Sequence, residues 1–228
     1  MNKLFSLFTF TLLSTSLIFA GNISGKINFK GAAPKQVAIK MNADAKCVKL
    51  HSGKPVMSEQ VVVNPNNTLR WAFVYVKNGP KKPAPKTPVV LDQKGCMYSP
   101  HVAGIQAGQP LEITNSDATL HNVHALPKNS SQFNIAQPKQ GMKMTKSFEK
   151  PEQMVKIKCE VHNWMASYFG VMENPYFAVS DDTGKFEIKD VPAGEYEVVA
   201  WHEKFGEQTM KVKVTDKAAA ADFTFEAK

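Results

Sequence analysis

The run Val155-Lys156-Ile157-Lys158-Cys159-Glu160-Val161-His162-Asn163-Trp164-Met165 decides the fold of this chain. Val155, Ile157 and Cys159 alternate with lysines, which is the period of a half-buried β-strand. Alternate residues of a strand share one face, so the thiol of Cys159 is predicted to point inward and to be partly desolvated. After Cys159 the spacing changes to three residues, which adds an imidazole at His162 and a thioether at Met165.

A second imidazole stands upstream, in the segment Leu120-His121-Asn122-Val123-His124, and we expect His121 at the end of another strand. Only folding can bring it to the Cys159 loop. Two histidines, a cysteine thiolate and a weak axial methionine are the donor set of a blue-copper electron-transfer site, although zinc competes for the same donors. The sequence therefore predicts one metal centre, with the ligands His121, Cys159, His162 and Met165.

The first twenty residues have the pattern of a secretory signal peptide. Lys3 supplies the only charge, residues 4–19 form an apolar core, and Ala20 is a small residue at the expected cleavage position. The apolar part is too short for a confident membrane anchor. We therefore expect an exported mature chain, periplasmic or secreted, without a transmembrane segment.

The positive charge of the chain favours a protein partner over nucleic acid. The 228 residues carry a net charge of +8, and Arg70 is the only arginine among 28 basic residues. Lysine is a strongly hydrated point charge, whereas arginine presents the planar fork that reads phosphates and bases. A lysine-rich surface is either simply solvated or able to steer an acidic protein. The expected partners are redox proteins, acidic ones in particular, and no nucleic acid.

Two of the three cysteines are not needed by the predicted metal centre. If Cys159 is a metal thiolate, Cys47 and Cys96 remain as a plausible disulfide, which an exported chain favours. A second metal site formed with His51 and His101 is an alternative, and three free thiols are another. The sequence leaves these alternatives open.

Nearly all of the chain after residue 20 has β character. Residues 23–29 and 71–75 alternate between apolar and polar side chains, as half-buried strands do. Residues 77–86 then bring lysines and three prolines, which favour an extended, poorly packed path and mark a boundary. Apolar alternation resumes at Val89. After Asn174-Pro175 a new set of strands is predicted, separated by turn residues.

Two further segments carry weaker expectations. Residues 128–150 are rich in Lys, Gln, Ser and Asn, and we interpret them as a long loop or an irregular hairpin. Residues 210–214 and 223–225 are expected to form a final strand pair.

The segment from about Val89 to Met172 resembles the cupredoxins, in particular the amicyanin and plastocyanin group. The resemblance rests on the run Gly108 to Asp117, on His121-Asn122-Val123, and on the compact loop from Cys159 to Met165. It implies a Greek-key sandwich with one type 1 copper centre. In that centre His121, Cys159 and His162 would be the strong ligands, Met165 the axial ligand, and Asn122 the residue that ties the two ligand segments together.

The flanking segments resemble the carboxypeptidase regulatory-like sandwich, which is itself similar to transthyretin. This resemblance rests on residues 25–31, on Trp71 to Val76, and on residues 182–196. It implies an all-β chain in which a cupredoxin-like domain, residues 87–174, is inserted into a second small β-sandwich formed by residues 22–86 and 175–228. Residues 1–20 would be the signal peptide.

The sequence thus predicts an exported type 1 copper protein that carries single electrons between redox partners. We do not expect an enzyme, because six histidines are too few for the additional centres of a multicopper oxidase. The runner-up is a carrier or sensor that binds Cu(I) through methionines such as Met142, Met144 and Met154. A metal-free sandwich that binds proteins is the third class. His124 is expected to lie next to the ligands or at the surface, and His202 to be structural or exposed.

Overall fold

The computed structural model describes residues 20–227, so the expected signal peptide lies outside the described residues except for Ala20. These residues form seventeen strands and one short helix, and the prediction of an all-β sandwich fold is confirmed. Within residues 20–227 no helix has the length and apolar character needed to cross a membrane.

The elements before and within the centre of the chain are β1 (Ala20–Lys30), α1 (Ala45–Leu50), β2 (Phe73–Val76), β3 (Val89–Lys94), β4 (Met97–Ser99), β5 (Val102–Gln106), β6 (Leu111–Asn115), β7 (His121–Ala125) and β8 (Phe133–Gln137). They are followed by β9 (Lys143–Lys146), β10 (Glu152–Lys158), β11 (Ala166–Met172), β12 (Phe177–Val179), β13 (Lys185–Pro192), β14 (Gly194–His202), β15 (Gly206–Val214), β16 (Ala219–Ala220) and β17 (Phe223–Glu226).

The strands pair in two groups, which we call the inner and the outer sheets. The inner sheets, from residues 89–172, have the strand orders β5-β11-β10-β7-β8 and β4-β3-β6-β9. The outer sheets have the order β12-β2-β14-β15 and a second sheet in which β1 pairs with β13, β16 and β17. The insertion of one domain into another, with the boundaries expected from the sequence, stays a prediction.

Each group of sheets has its own apolar core. The inner core includes Leu91, Ile113, Val155 and Phe169, and the outer core is built around strands β1, β2, β13 and β14. Alternation explains the inner core: Val155, Ile157 and Cys159 are at most 2% exposed, and Lys156 between them is exposed. Side chains on one face of β10 therefore pack inward, as its sequence predicts.

Three details differ from the sequence-based expectations. Residues 128–150 contain β8, which pairs with β7, and β9, which pairs with β6 in the other inner sheet. The expected loop or irregular hairpin is wrong, since β8 and β9 pair with different strands and not with each other. Strand β9 is exposed, so no apolar alternation marks it. Strand β17 pairs with β1 rather than with β15. His121 begins β7 instead of ending a strand.

The inner and outer sheets pack against each other through a pair of facing glycines. Gly104 of β5 lies opposite Gly170 of β11 in the parallel register. A Cβ atom at Gly170 would overlap the ring of Phe73 in β2, and one at Gly104 would overlap the ring of Phe177 in β12. The two glycines thus form a notch that receives two aromatic rings from the outer sheets.

A disulfide also joins the outer segment to the inner sheets. Cys47 in α1 is bonded to Cys96, which lies between β3 and β4, with 5.6 Å between their Cα atoms. His51 is instead hydrogen-bonded to the carbonyl of Gly95, with 2.7 Å between Nε2 and the oxygen. The second metal site considered from the sequence is therefore not formed, because its two thiols are joined to each other.

Candidate metal centre

Two neighbouring strands and one loop position the predicted ligands. Strands β7 and β10 are antiparallel, with His124 opposite Lys158, so the start of β7 lies beside the end of β10. His121 is the first residue of β7, and Cys159 follows the last residue of β10. The loop after β10 turns back on itself, since the backbone N–H of Cys159 donates to the carbonyl of Met165 at 3.3 Å. His162 lies within this loop.

Three of the four predicted ligands bring their donor atoms together. Nδ1 of His121 lies 3.0 Å from Nδ1 of His162, and Sγ of Cys159 lies 3.9 Å from the same atom of His162. Donor atoms of all three residues lie within 4.8 Å of one another. The three side chains are 0%, 2% and 1% exposed for His121, Cys159 and His162. Solvent therefore barely reaches the cluster.

Met165 packs beside this cluster. Its side chain is fully buried and belongs to the same apolar core as Cys159. Its backbone N–H donates to the carbonyl of His162 at 2.9 Å, which closes the loop on the Met165 side. Its role as an axial ligand stays a prediction.

A carboxylate holds the outer nitrogen of each imidazole. Nε2 of His121 lies 2.8 Å from Oδ2 of Asp117, and Nε2 of His162 lies 3.0 Å from Oδ2 of Asp44. Asp117 also accepts the backbone N–H groups of Gly95 and Cys96, each at 2.8 Å. An ionised carboxylate can only accept, so both Nε2 atoms carry a proton. Both Nδ1 atoms are therefore turned toward the cluster.

The pKa values of the two aspartates agree with this assignment. Burial alone raises the pKa of Asp117, but the hydrogen bonds from His121 and from the backbone outweigh it and leave the pKa below its usual value. For Asp44, burial again acts upward and is outweighed by hydrogen bonds from His162, Lys46 and Thr119, so its pKa is also lowered. Both side chains are thus anionic at neutral pH.

The thiol and one imidazole form a polarised pair. Burial raises the pKa of Cys159, yet contact with His121 and the backbone N–H groups of the loop lower it further than burial raises it. The N–H of His162, for example, donates to Sγ of Cys159 at 3.3 Å. Burial lowers the pKa of His121, while Asp117 and Cys159 raise it to about 8. The site thus favours loss of the thiol proton of Cys159 when a positive charge lies beside it, either a proton on His121 or a metal ion.

The donor set fits a metal ion. The two Nδ1 atoms lie 3.0 Å apart, so either a proton lies between them or a metal cation lies next to both of them. A thiolate and two imidazoles are ligands that copper and zinc accept. Hydrogen bonds from the second ring nitrogen to carboxylates are the usual way in which proteins orient metal-binding histidines.

Asn122 connects the two segments that carry the ligands. Its Oδ1 accepts the backbone N–H of Glu160 at 2.8 Å, next to Cys159, and its Nδ2 donates to Asn134 of β8. Asn122 itself follows His121. It therefore holds the end of β10 against the start of β7, which is the role that the cupredoxin resemblance implies for it.

The other histidines and the methionines lie outside the cluster. His124 pairs with Glu160 at the surface, and His202 is buried in the outer sheets against the rings of Phe205 and Phe225. Met144 is exposed on β9, whereas Met154 packs between the inner and outer sheets.

One aromatic side chain of the loop, that of Trp164, covers the cluster on one side. The ring of Trp164 lies 5.0 Å from the ring of His162, and its Nε1 donates to the carbonyl of Cys96 at 2.9 Å. Tyr168 instead faces the outer sheets, where its hydroxyl donates to Glu203 at 2.9 Å. Trp164 therefore shields the cluster, and Tyr168 contributes to packing between the sheets.

Sequence reasoning missed both carboxylates. Asp117 precedes His121 by four residues, so an Asp-x-x-x-His spacing was present in the sequence as a signal. Asp44 is 118 residues away from His162, and its contact depends on the outer segment folding over the loop. No local pattern marks such a residue.

No protein-family model and no curated protein matches this chain. Among solved structures, it is similar to a purple cupredoxin from Nitrosopumilus maritimus, at 22% identity and a TM-score of 0.32, over 36% of this chain and 98% of that one. It is also similar to a Cu-containing nitrite reductase from Thermus scotoductus, at 24% identity and a TM-score of 0.33, over 43% of this chain and 25% of that one. A Cu(I) form of an amicyanin mutant has 16% identity and a TM-score of 0.33, over 43% of this chain and 97% of that one.

Proposed function

We propose that this chain is an exported type 1 copper protein that carries single electrons between redox partners. The ligands would be His121, Cys159 and His162, with Met165 in the axial position. The observation that carries the proposal is the convergence of two Nδ1 atoms and one cysteine sulfur in a buried cluster, with 3.0 Å between the nitrogens. Both Nε2 atoms donate to carboxylates, so each ring turns its Nδ1 toward the other ring and toward Cys159, where a metal ion could take the place of the shared proton.

The surrounding residues suit electron transfer because they keep the donors in place. Bound copper supplies one-electron chemistry between Cu(II) and Cu(I). Asp117 and Asp44 hold the imidazoles, Asn122 holds the strand ends together, and the N–H of His162 stabilises the charge on Cys159. Donors fixed in this way need little rearrangement when the charge at the centre changes, which favours fast transfer.

The burial of the cluster favours electron transfer over catalysis. A catalytic metal keeps an open position for water or substrate. Here the three donors are at most 2% exposed, and Trp164 covers the loop. We therefore propose a single type 1 centre and no enzymatic activity.

The disulfide and the lysines support the proposed compartment and partners. Disulfides persist in oxidising compartments, so the bond between Cys47 and Cys96 supports a periplasmic or secreted protein. The lysine-rich surface suits an acidic redox partner, whose approach would then slow as salt is added.

The test is a visible spectrum of the exported chain after Cu(II) is added. A thiolate-to-copper charge-transfer band should give an intense colour, which Cys159→Ser abolishes. Ser167→Ala is the matched control, because Ser167 is also fully buried, on the neighbouring strand β11, and carries no proposed ligand. It should keep the colour.

The alternatives give different results in the same experiment. A colourless wild type that binds Cu(I) would indicate a copper carrier or sensor, and a colourless protein that prefers Zn(II) would indicate a zinc site. A chain that binds neither metal would be a metal-free interaction sandwich.

A further inference from the structure

A segment from outside the inner sheets covers the candidate metal centre. We call residues 41–50, which include α1, the cap. Its buried side chains are Met41 and Cys47, and the disulfide from Cys47 to Cys96 fastens it to the turn between β3 and β4. Lys46 adds a hydrogen bond from Nζ to the carbonyl of Ala118 at 3.2 Å. The cap is thus held over the loops that carry the ligands.

Asp44 is the residue of the cap that reaches the cluster. Its Oδ2 accepts from Nε2 of His162 at 3.0 Å and from the hydroxyl of Thr119 at 3.1 Å. Its Oδ1 accepts the N–H of Lys46 at 2.8 Å and so caps the start of α1. One carboxylate therefore contacts three separate parts of the chain, and each bond restricts its rotation.

We propose that Asp44 is a positioning residue of the metal centre, which the inner sheets alone leave incomplete. The inference rests on the proposed function. Asp44 keeps the proton of His162 on Nε2, so that Nδ1 faces Cys159 and His121. Its negative charge, next to a buried ligand, also favours Cu(II) over Cu(I).

Coulomb's law explains why the charge of Asp44 favours Cu(II) over Cu(I). A negative charge stabilises the ion of charge +2 more than the ion of charge +1 at the same place, and the difference is larger where water is excluded. His162 is 1% exposed, and the side chain of Asp44 is 22% exposed. Removing this charge should therefore raise the ratio of the Cu(I) affinity to the Cu(II) affinity.

Two substitutions separate the contributions of Asp44. Two variants, Asp44→Asn and Asp44→Ser, serve this purpose, and in both the disulfide from Cys47 to Cys96 still holds α1 in place. Asparagine removes the charge and keeps one oxygen, which can accept from Nε2 of His162 while the bond from the N–H of Lys46 to Oδ1 is lost. Serine is too short to reach the imidazole and removes both. The matched control is Glu160→Gln, which removes a charge next to Cys159 on a side chain that pairs with His124 and Lys158 and with no proposed ligand.

The first measurement is the reduction potential of the copper-loaded proteins. Both Asp44 variants should raise the ratio of Cu(I) to Cu(II) affinity by about tenfold or more, which corresponds to about 59 mV. Glu160→Gln should change the ratio by less than about threefold, because its charge is exposed to solvent. The visible spectrum should stay that of the wild type in Asp44→Asn and change in Asp44→Ser. An unchanged potential in both Asp44 variants would overturn the inference.

The second measurement needs no copper. In ¹⁵N NMR spectra of the metal-free chain, His162 should carry its proton on Nε2 in the wild type and in Asp44→Asn, and should show a mixture of tautomers in Asp44→Ser. A wild type with the proton on Nδ1 would overturn the positioning role. If the wild type takes up no copper, the proposed function fails, and the tautomer of His162 then decides the role of Asp44 by itself.

Discussion

At the scale of single residues, the candidate centre is a balance of buried charges. Asp44 and Asp117 contribute two negative charges beside two imidazoles, and Cys159 would add a third as a metal thiolate. Negative charges next to buried groups are costly unless a positive charge offsets them. A divalent ion would offset more of this charge than a monovalent ion, so the residues proposed to hold copper would also favour its higher oxidation state.

Met165 provides a prediction at this scale. Met165→Leu should keep copper binding but raise the reduction potential and alter the visible spectrum, because a weak axial thioether tunes a type 1 centre. The matched control is Met172→Leu, a buried methionine at the end of β11 that packs against the outer sheets. Both substitutions should cost less than about 1.5 kcal/mol in the free energy of unfolding, since volume is conserved. Equal spectra for all three proteins would remove Met165 from the ligand set.

The residues of the site differ in how far the sequence reveals them. Cys159 and His162 are visible because their soft donor atoms stand at a short spacing after an alternating strand, and the structure brings them to His121. That these residues hold copper stays a prediction. Asp44 was not foreseen because aspartate is common on surfaces, and only the tertiary fold shows that this one reaches across 118 residues to an imidazole.

At the scale of elements, the two glycines on β5 and β11 determine how the sheets pack. A residue with a side chain on this face would hold the outer sheets away, because the rings of Phe73 and Phe177 fill the space that a Cβ atom would need. Phe73 is fully buried at this contact. The notch therefore fixes the approach of β2 and β12 to the inner sheets, and with it the position of the outer segment that carries the cap.

The notch gives the second prediction. Gly170→Ala should lower the free energy of unfolding by about 1–3 kcal/mol, because the added methyl group overlaps Phe73 and overpacks the contact. Phe73→Leu in the same chain should recover part of this loss by making room. Urea unfolding of the two single variants and the double variant would measure the coupling. If the two substitutions change the free energy of unfolding additively, Gly170 and Phe73 are not energetically coupled.

Elements with one buried face were predictable, and exposed elements were not. Strand β10 shows strict alternation, and its buried residues follow that pattern. Strand β9 has four exposed residues and pairs with β6 through backbone hydrogen bonds, so its composition is that of a loop. Strand β17 alternates clearly, but alternation does not specify a partner, and the sequence did not reveal its pairing with β1.

At the scale of the whole molecule, the inner and outer sheets are joined by contacts of three kinds. The glycine notch is apolar, the disulfide between Cys47 and Cys96 is covalent, and His101 is hydrogen-bonded to Glu203, with 2.9 Å between Nε2 and Oε2. In the loop-entropy description, a disulfide that closes 49 residues stabilises the fold by about 4 kcal/mol. The bond thus holds the cap in place independently of whether a metal is bound.

His202 links the stability of the molecule to pH. It is 1% exposed in the outer core, and its Nδ1 accepts the backbone N–H of Lys204 at 3.1 Å, which a protonated imidazole cannot do. Burial lowers its pKa from 6.5 to about 4, although nearby Glu203 acts in the opposite direction. Between these two pH values the unfolded chain therefore binds more protons at this position than the folded chain.

The free energy of unfolding should consequently fall as the pH is lowered from 6.5 to 4, by up to about 3 kcal/mol from this residue. His202→Gln keeps an acceptor for Lys204 but cannot be protonated, so it should be less stable than the wild type at pH 8 and should lose less stability on acidification. Urea unfolding of the two metal-free proteins at several pH values measures how the free energy of unfolding of each depends on pH. At pH 8, the reference, the imidazole of His202 is neutral in the folded and in the unfolded chain. If the free energies of unfolding of the wild type and of His202→Gln fall in parallel between pH 6.5 and pH 4, His202 is not the group that makes the fold sensitive to acid.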